Sequence, residues 1–163
     1  SLVAIAELTL SQLRPTIKNK RLRLTTAYDK TLPLISADPK LIKIIFQNII
    51  SNAIKYIEES GTVKIIISKD GPHALITVQD TGFGIPAHQQ NKIFTKLFRA
   101  DNAVERESDG TGLGLYIVRS IIEQSGGTIQ FESKENQGTT FYVRLPLTGM
   151  LKKPGTASQF KIS

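Results

Sequence analysis

Asn48, Asn52 and Lys55 follow one another at spacings of four and three residues in a run that otherwise reads as an amphipathic helix. At about 100° per residue the three fall within roughly 60° of arc. They lie at the margin of a wide apolar face made by Leu41, Ile42, Ile45, Phe46, Ile49 and Ala53. Asparagine is a mediocre helix former, so two of them one turn apart need a reason. One reason is chemical. A carboxamide oxygen is a hard neutral ligand suited to a hydrated Mg²⁺, and an ammonium can meet a phosphate. The other is structural, with both side chains bonded to neighbouring loops. The segment alone leaves both open.

Two glycine-rich motifs and a glycine-threonine turn follow. Asp80-Thr81-Gly82-Phe83-Gly84-Ile85-Pro86 comes directly after a strand-like run. Its glycines allow close approach of a ligand to the backbone. A carboxylate at a strand end can accept from an exocyclic amine, which favours adenine over guanine; by itself the motif is also an ordinary turn. Asp109-Gly110-Thr111-Gly112-Leu113-Gly114-Leu115 opens a helix. Unpaired N–H groups at such an end bind anions. The glycine order is neither the lysine-bearing phosphate loop nor the dinucleotide fingerprint, which follows a strand immediately. Gly138-Thr139-Thr140-Phe141 enters the last strand and alone reads as a turn.

The elements that must position these residues can be read from periodicity. Residues 3–18 carry Val3, Ala6, Leu10, Leu13 and Ile17 at helical spacing, with Pro15 as a potential kink. Asp38 and Pro39 form a cap and first turn for a helix reaching about Glu58. A short helix is expected over Ala87–Phe98, and another over Leu113–Gln124, ended by Gly126-Gly127. Strands are expected over 21–28, 63–68, 74–79, 128–132 and 139–145, two pairs of them as hairpins. The expected fold is α+β: a two-layer α/β sandwich with an open mixed, mostly antiparallel sheet and helices on one face.

Length and composition set bounds. A chain of 163 residues, 40% hydrophobic and 21% charged, suits one globular core. No cysteine is present, which excludes disulfides and thiolate chemistry. The net charge of +7 comes from scattered basic residues, of which only Lys18–Arg23 is dense. That run reads as a solvated face, with nucleic-acid binding as the weaker alternative.

The order and spacing of the four motifs resemble the histidine-kinase branch of the ATPase superfamily shared with DNA gyrase, heat-shock chaperone ATPases and MutL proteins. The resemblance covers roughly residues 20–147 and implies a Bergerat-type ATP-binding fold. Asn48-Ile49-Ile50-Ser51-Asn52-Ala53-Ile54-Lys55-Tyr56 looks like the family's asparagine box. The resemblance then implies that Asn52 holds Mg²⁺ with Asn48 in support, that Lys55 supports the phosphates and that Tyr56 lines the nucleotide site. Asp80 matches the reader of the adenine amino group, with Gly82, Gly84 and Ile85 shaping the pocket floor. Ile93-Phe94-Thr95-Lys96-Leu97-Phe98-Arg99 resembles the lid's phenylalanine box, which brings Phe94 to the nucleotide and Arg99 to the phosphates. Gly110, Thr111, Gly112, Leu113 and Gly114 match the phosphate side, and Thr139 a hydroxyl near adenine. In the gyrase-like branch the position of Asn48 is a water-activating glutamate. A carboxamide takes no proton at neutral pH, which favours transfer to an outside acceptor over hydrolysis.

The implied partners are a phosphoacceptor helical hairpin of the same or a sister chain and a response-regulator receiver domain. Nucleic acid is not among them. The isolated domain is expected to be a monomer, the full protein a homodimer, and the location cytoplasmic, whether or not the parent is membrane-anchored. The expected division is a linker helix over 1–18, an ATP-binding domain over 19–147 and a tail over 148–163. Neither His73-Ala74 nor His88-Gln89 fits the acceptor pattern of a histidine followed by Glu or Asp, so both read as surface residues. The lid, about 83–111, is expected to be mobile, with disorder over 101–109 in the absence of nucleotide. Phe94 and Phe98 are expected to share a face. Alternatives within and outside the fold are an anti-sigma-factor-type serine kinase and a non-catalytic nucleotide-binding or docking module.

Overall fold

The computed structural model describes residues 1–106 and 110–150, with Arg106 known by its backbone alone. The expected two layers are present. The helical layer begins with α1 (Leu2–Asn19), whose N-cap Ser1 hydroxyl accepts the Ala4 N–H. Pro15 lies inside α1 without ending it. Pro15 and Ser11, whose carbonyl the missing N–H would have served, are both exposed, so that carbonyl is left to solvent. After β1 (Arg23–Tyr28), the side chain of Asp38 accepts from Lys40 N–H at 2.8 Å and Pro39 opens α2 (Pro39–Lys55). Helix α2 stops at Lys55, three residues before the expected end.

The remaining elements are β2 (Thr62–Asp70), β3 (His73–Asp80), a 3₁₀ turn at Ala87–Lys92, α3 (Asp101–Arg106), α4 (Gly114–Gln124), β4 (Thr128–Lys134) and β5 (Gly138–Pro146). The sheet order is β1-β2-β3-β5-β4. Strands β1 and β2 are parallel, and the other three pairings are antiparallel. Alternation along the strands divides the sheet faces. Val63, Ile65 and Ile67, then Ala74, Ile76 and Val78, then Phe141, Val143 and Leu145 are buried toward the helices. Their neighbours Lys64, Gln79 and Tyr142 point the other way and are more exposed.

Helix α2 forms the centre of the core through Ile42, Ile45, Phe46, Ile49, Ile50, Ala53 and Ile54, all buried. Each large side chain of this set contributes about 1.5–3 kcal/mol of burial. Helix α1 adds Leu2, Ala6 and Leu10 to the same cluster. It is packed into the domain.

Two local expectations are corrected. Helical structure in the lid ends at Lys92 instead of continuing to Phe98, because the chain then passes through turns and Leu97 takes a φ of 63°. Within 101–109, residues Asp101–Arg106 form a helix, and the rest of that expectation lies on residues outside those described. Of the expected tail, Met150 returns to the body, its N–H donating to Ser36 C=O at 2.9 Å. Residues 151–163 lie outside the described part.

Candidate nucleotide site

The C-terminal half of α2, the end of β3, the start of β5, the lid and the N-terminus of α4 surround one cavity of about 280 Å³. That lies near the lower end of small-molecule pockets, roughly 300–1,000 Å³. Asn48, Asn52, Lys55 and Tyr56 line it from α2, Asp80, Gly84 and Ile85 from β3 and the turn after it. Arg99 lines it from the lid, Gly110, Thr111, Gly112 and Gly114 from the approach to α4, and Thr139 from β5. Sheet register explains part of this convergence: β3 and β5 pair so that Asp80 is opposite Thr139.

Asp80 is held by two backbone donors on one oxygen. Its Oδ1 accepts Gly82 N–H at 2.8 Å and Thr139 N–H at 3.3 Å. Among the described residues no donor reaches Oδ2, so that oxygen is available to a ligand. Burial pushes the carboxyl up to about 6, against the opposing pull of the two N–H groups. The Thr139 hydroxyl lies 2.9 Å from that of Ser133, which also accepts Ile85 N–H at 2.9 Å. Ser133 thus ties β4, β5 and the turn after β3 together, a role that no local pattern announced.

Asn48 answers the question its sequence left open. Its Nδ2 donates to Ile44 C=O at 2.8 Å, one turn back. That bond leaves Oδ1 facing the α4 N-terminus, so close to Gly114 that a Cβ there would collide with it. A backbone with no side chain at 114 is therefore required by the approach of α4 to α2. Lys55 Nζ lies 5.5 Å from the centroid of the Tyr56 ring. Arg99 is placed at the cavity by the lid, its Nη2 donating to Ala103 C=O at 3.4 Å. The lid itself is fastened by side chains that periodicity does not single out. Buried Gln89 exchanges hydrogen bonds with Asp101, side chain to side chain and backbone N–H to side chain. Gln90 donates to Ile85 and Ser133 carbonyls at 3.0 Å each, and Asn102 donates to Gly84 C=O at 3.0 Å.

Three expected site residues do not line the cavity. Gly82 is buried beneath the turn, and Leu113 sits at the N-cap position of α4 while Leu115 takes the wall. Phe94 lies beside β4 instead, edge-on to Phe131 at 5.8 Å with the Arg119 guanidinium 5.4 Å from its centroid. Phe98 lines the cavity, so the two phenylalanines do not share a face. Their four-residue spacing has meaning only on a helix, and the chain is not helical there. Ser51, Phe83, Ile93, Ala100 and Phe141 are lining residues that sequence reasoning missed. His88 is exposed and His73 half-buried on β3, and neither reaches the cavity.

An ATP-binding α/β sandwich with an asparagine-bearing central helix is the class that this fold and site define. A family model described as histidine kinase-, DNA gyrase B-, and HSP90-like ATPase matches residues 37–149, and the chain belongs to that family. Within it, the chain is similar to histidine kinases. It is 39% identical over 126 residues to the circadian input-output histidine kinase CikA of Synechococcus elongatus, covering 77% of this chain and 17% of that protein. It is 38% identical over 136 residues to the sensor histidine kinase ZraS of Escherichia coli, covering 83% and 28%. The catalytic domain of histidine kinase ThkA superposes with a TM-score of 0.77 at 28% identity, covering 90% of this chain and 94% of that one. The same kinase in complex with the response regulator protein TrrA superposes at 0.74 and 27% identity, covering 91% and 41%. The chain therefore carries the ATP-binding catalytic domain of the sensor-histidine-kinase type and spans under a third of the length of the curated relatives named.

Proposed function

We propose that this domain binds Mg-ATP in the cavity and donates the γ-phosphoryl group to a histidine on a separate helical domain of a two-component sensor kinase. The observation that carries the reading is the convergence on one cavity of a half-buried carboxylate with a free oxygen, two carboxamides, two cations and a glycine-rich helix start. Asp80 Oδ2 accepts the adenine amino group, with the Thr139 hydroxyl beside it. The N–H groups of Gly110, Thr111, Gly112 and Gly114 take phosphate oxygens at the start of an 11-residue helix. Lys55 and Arg99 neutralise the charge that phosphoryl transfer spreads over the equatorial oxygens. Asn48 supplies no general base, so water is not activated at that position.

Mg²⁺ fits the donor set. Asn48 Oδ1 is turned away from its own helix, Asn52 lines the same wall, and amide oxygens are hard ligands. Among the described residues no three His, Cys, Asp or Glu side chains form a cluster, which suits a metal held jointly with phosphates. Asn52, with Asn48 in support, would hold the ion, which supplies charge neutralisation on the phosphates.

The acceptor is a phosphoacceptor helical hairpin of the same or a sister chain, and the phosphoryl group passes on to a receiver domain. The names of the relatives support a histidine as acceptor, and the ThkA complex with its regulator supports the receiver domain; the helical hairpin follows from the family resemblance of the motifs. Among the described residues no helix is long and apolar enough to cross a membrane. The site is assigned to the cytoplasm, where ATP is available. Calorimetric titration with ATP, ADP and GTP, with and without Mg²⁺, tests the reading on wild type and Asp80→Asn. Adenine-selective binding lost in the variant is expected, and no binding by any nucleotide overturns it.

A further inference from the structure

The basic run Lys18–Arg23 has no role in the nucleotide reading, yet one of its members is not a surface charge. Lys20, the C-cap residue of α1, is half-buried. Its ammonium donates to three backbone carbonyls at the far end of α2: Ile54 at 3.2 Å, Lys55 at 2.9 Å and Ile57 at 3.1 Å. The last carbonyls of a helix have no intrahelical donor and carry the negative end of its dipole. Tyr56 N–H still reaches Asn52 C=O, but the carbonyls of Ile54 and Lys55 lie beyond the ladder. One ammonium with three donors satisfies them. The contact is held in place from the other side, because Ser60 N–H donates to Lys20 C=O at 2.9 Å. Arg21, at a φ of 53°, then turns the chain into β1.

The clamped turn is also the support of the Asp80 loop. Tyr56 C=O accepts the Phe83 N–H at 2.9 Å. It also packs so closely on Gly82 that a Cβ at that position would overlap it. Gly82 N–H in turn donates to Asp80 Oδ1. A continuous chain of contacts therefore runs from the end of α1, through the carbonyls at the end of α2, to the carboxylate in the cavity. We propose that Lys20 is a positioning residue for the nucleotide site, setting the height of the Tyr56 carbonyl and through it the Gly82–Phe83 peptide and Asp80. The inference rests on the nucleotide reading of the cavity. It also makes the C-terminal end of α1 a place from which displacement reaches the site.

The test uses Lys20→Met, Lys20→Arg and, as a charge control from the exposed part of the same run, Lys18→Gln. Two quantities are read: ATP affinity, and amide exchange at Phe83 compared with the amides of the β2–β3 ladder. In Lys20→Met, ATP affinity should fall about tenfold, through displacement of the Gly82–Phe83 peptide and Asp80 once the three bonds of the ammonium are lost. Phe83 exchange should accelerate by at least about as much while the ladder amides stay protected. Lys20→Arg should lie between, since a planar guanidinium keeps the charge but cannot aim three donors at converging carbonyls. Lys18→Gln should match wild type in both. Wild-type affinity in Lys20→Met, or Phe83 exchange that rises only in step with the ladder, would make Lys20 a cap for the fold alone and overturn the proposal. If Lys20→Met does not fold, wild-type values for both quantities in Lys20→Arg overturn it equally. A wild type that binds no ATP removes the nucleotide reading instead, and Phe83 exchange then decides whether Lys20 holds the loop.

Discussion

Replacing Asp80 by asparagine should make the unliganded protein more stable at neutral pH while removing its grip on adenine. The carboxyl rises from 3.8 to about 6 because burial penalises its charge. A raised carboxyl means that between about pH 4 and 6 the folded state binds more protons than the unfolded one, so stability falls as pH rises through that window. At about 1.4 kcal/mol per pH unit, the loss approaches 3 kcal/mol above pH 6. Asparagine has nearly the shape of the protonated acid and can keep both N–H bonds on its oxygen, but it has no charge to bury. Urea unfolding of wild type and Asp80→Asn from pH 4 to 7.5 gives the difference directly. It should be small at pH 4 and reach about 2–3 kcal/mol in favour of the variant at pH 7. A difference that stays constant across the range would refute the burial argument. ATP should stabilise wild type and not the variant. Its affinity for wild type should weaken as pH falls below about 6, because the protonated carboxyl is a poorer acceptor for the amino group.

Gly114→Ala places a methyl against Asn48 Oδ1 and should lower ATP affinity about tenfold or more, checked by titration, and should also lower the urea midpoint, because α4 must move away from α2 to admit the methyl. Ile50→Ala, at a fully buried position of α2, should cost about 2–5 kcal/mol of stability, read from denaturant unfolding. Asn102→Ala removes the lid's bond to Gly84 C=O and should raise exchange and proteolytic cleavage in the lid without moving the core transition. The purified chain with radiolabelled ATP should yield no phosphohistidine. A labelled band lost on substituting His73 or His88 would contradict the reading of both as outside the site.

Much of this protein was legible from local pattern. Asp38-Pro39 announces the start of α2, and the apolar spacing from Leu41 to Ala53 announces the face it buries, because capping and helical periodicity are properties of neighbouring residues. The glycine-rich runs and the asparagine box could be placed on elements for the same reason, and the cavity gathers most of them. Other outcomes depended on contacts between residues far apart in the chain. Phe94 belongs beside Phe131 and Phe98 in the cavity because the lid is fastened by Gln89, Gln90 and Asn102, not because of any spacing within it. Lys20 looked like one charge in a solvated run until the end of α2 was brought to it from more than thirty residues away. Asp80 could be read as a carboxylate at a strand end. Which oxygen is committed, and how far burial raises it, was decided only when Gly82 and Thr139 closed around it. Local sequence determines which elements form and which chemical groups they carry. Tertiary packing determines which of those groups are desolvated, paired or left open to a ligand, since desolvation and pairing arise between elements and not within them.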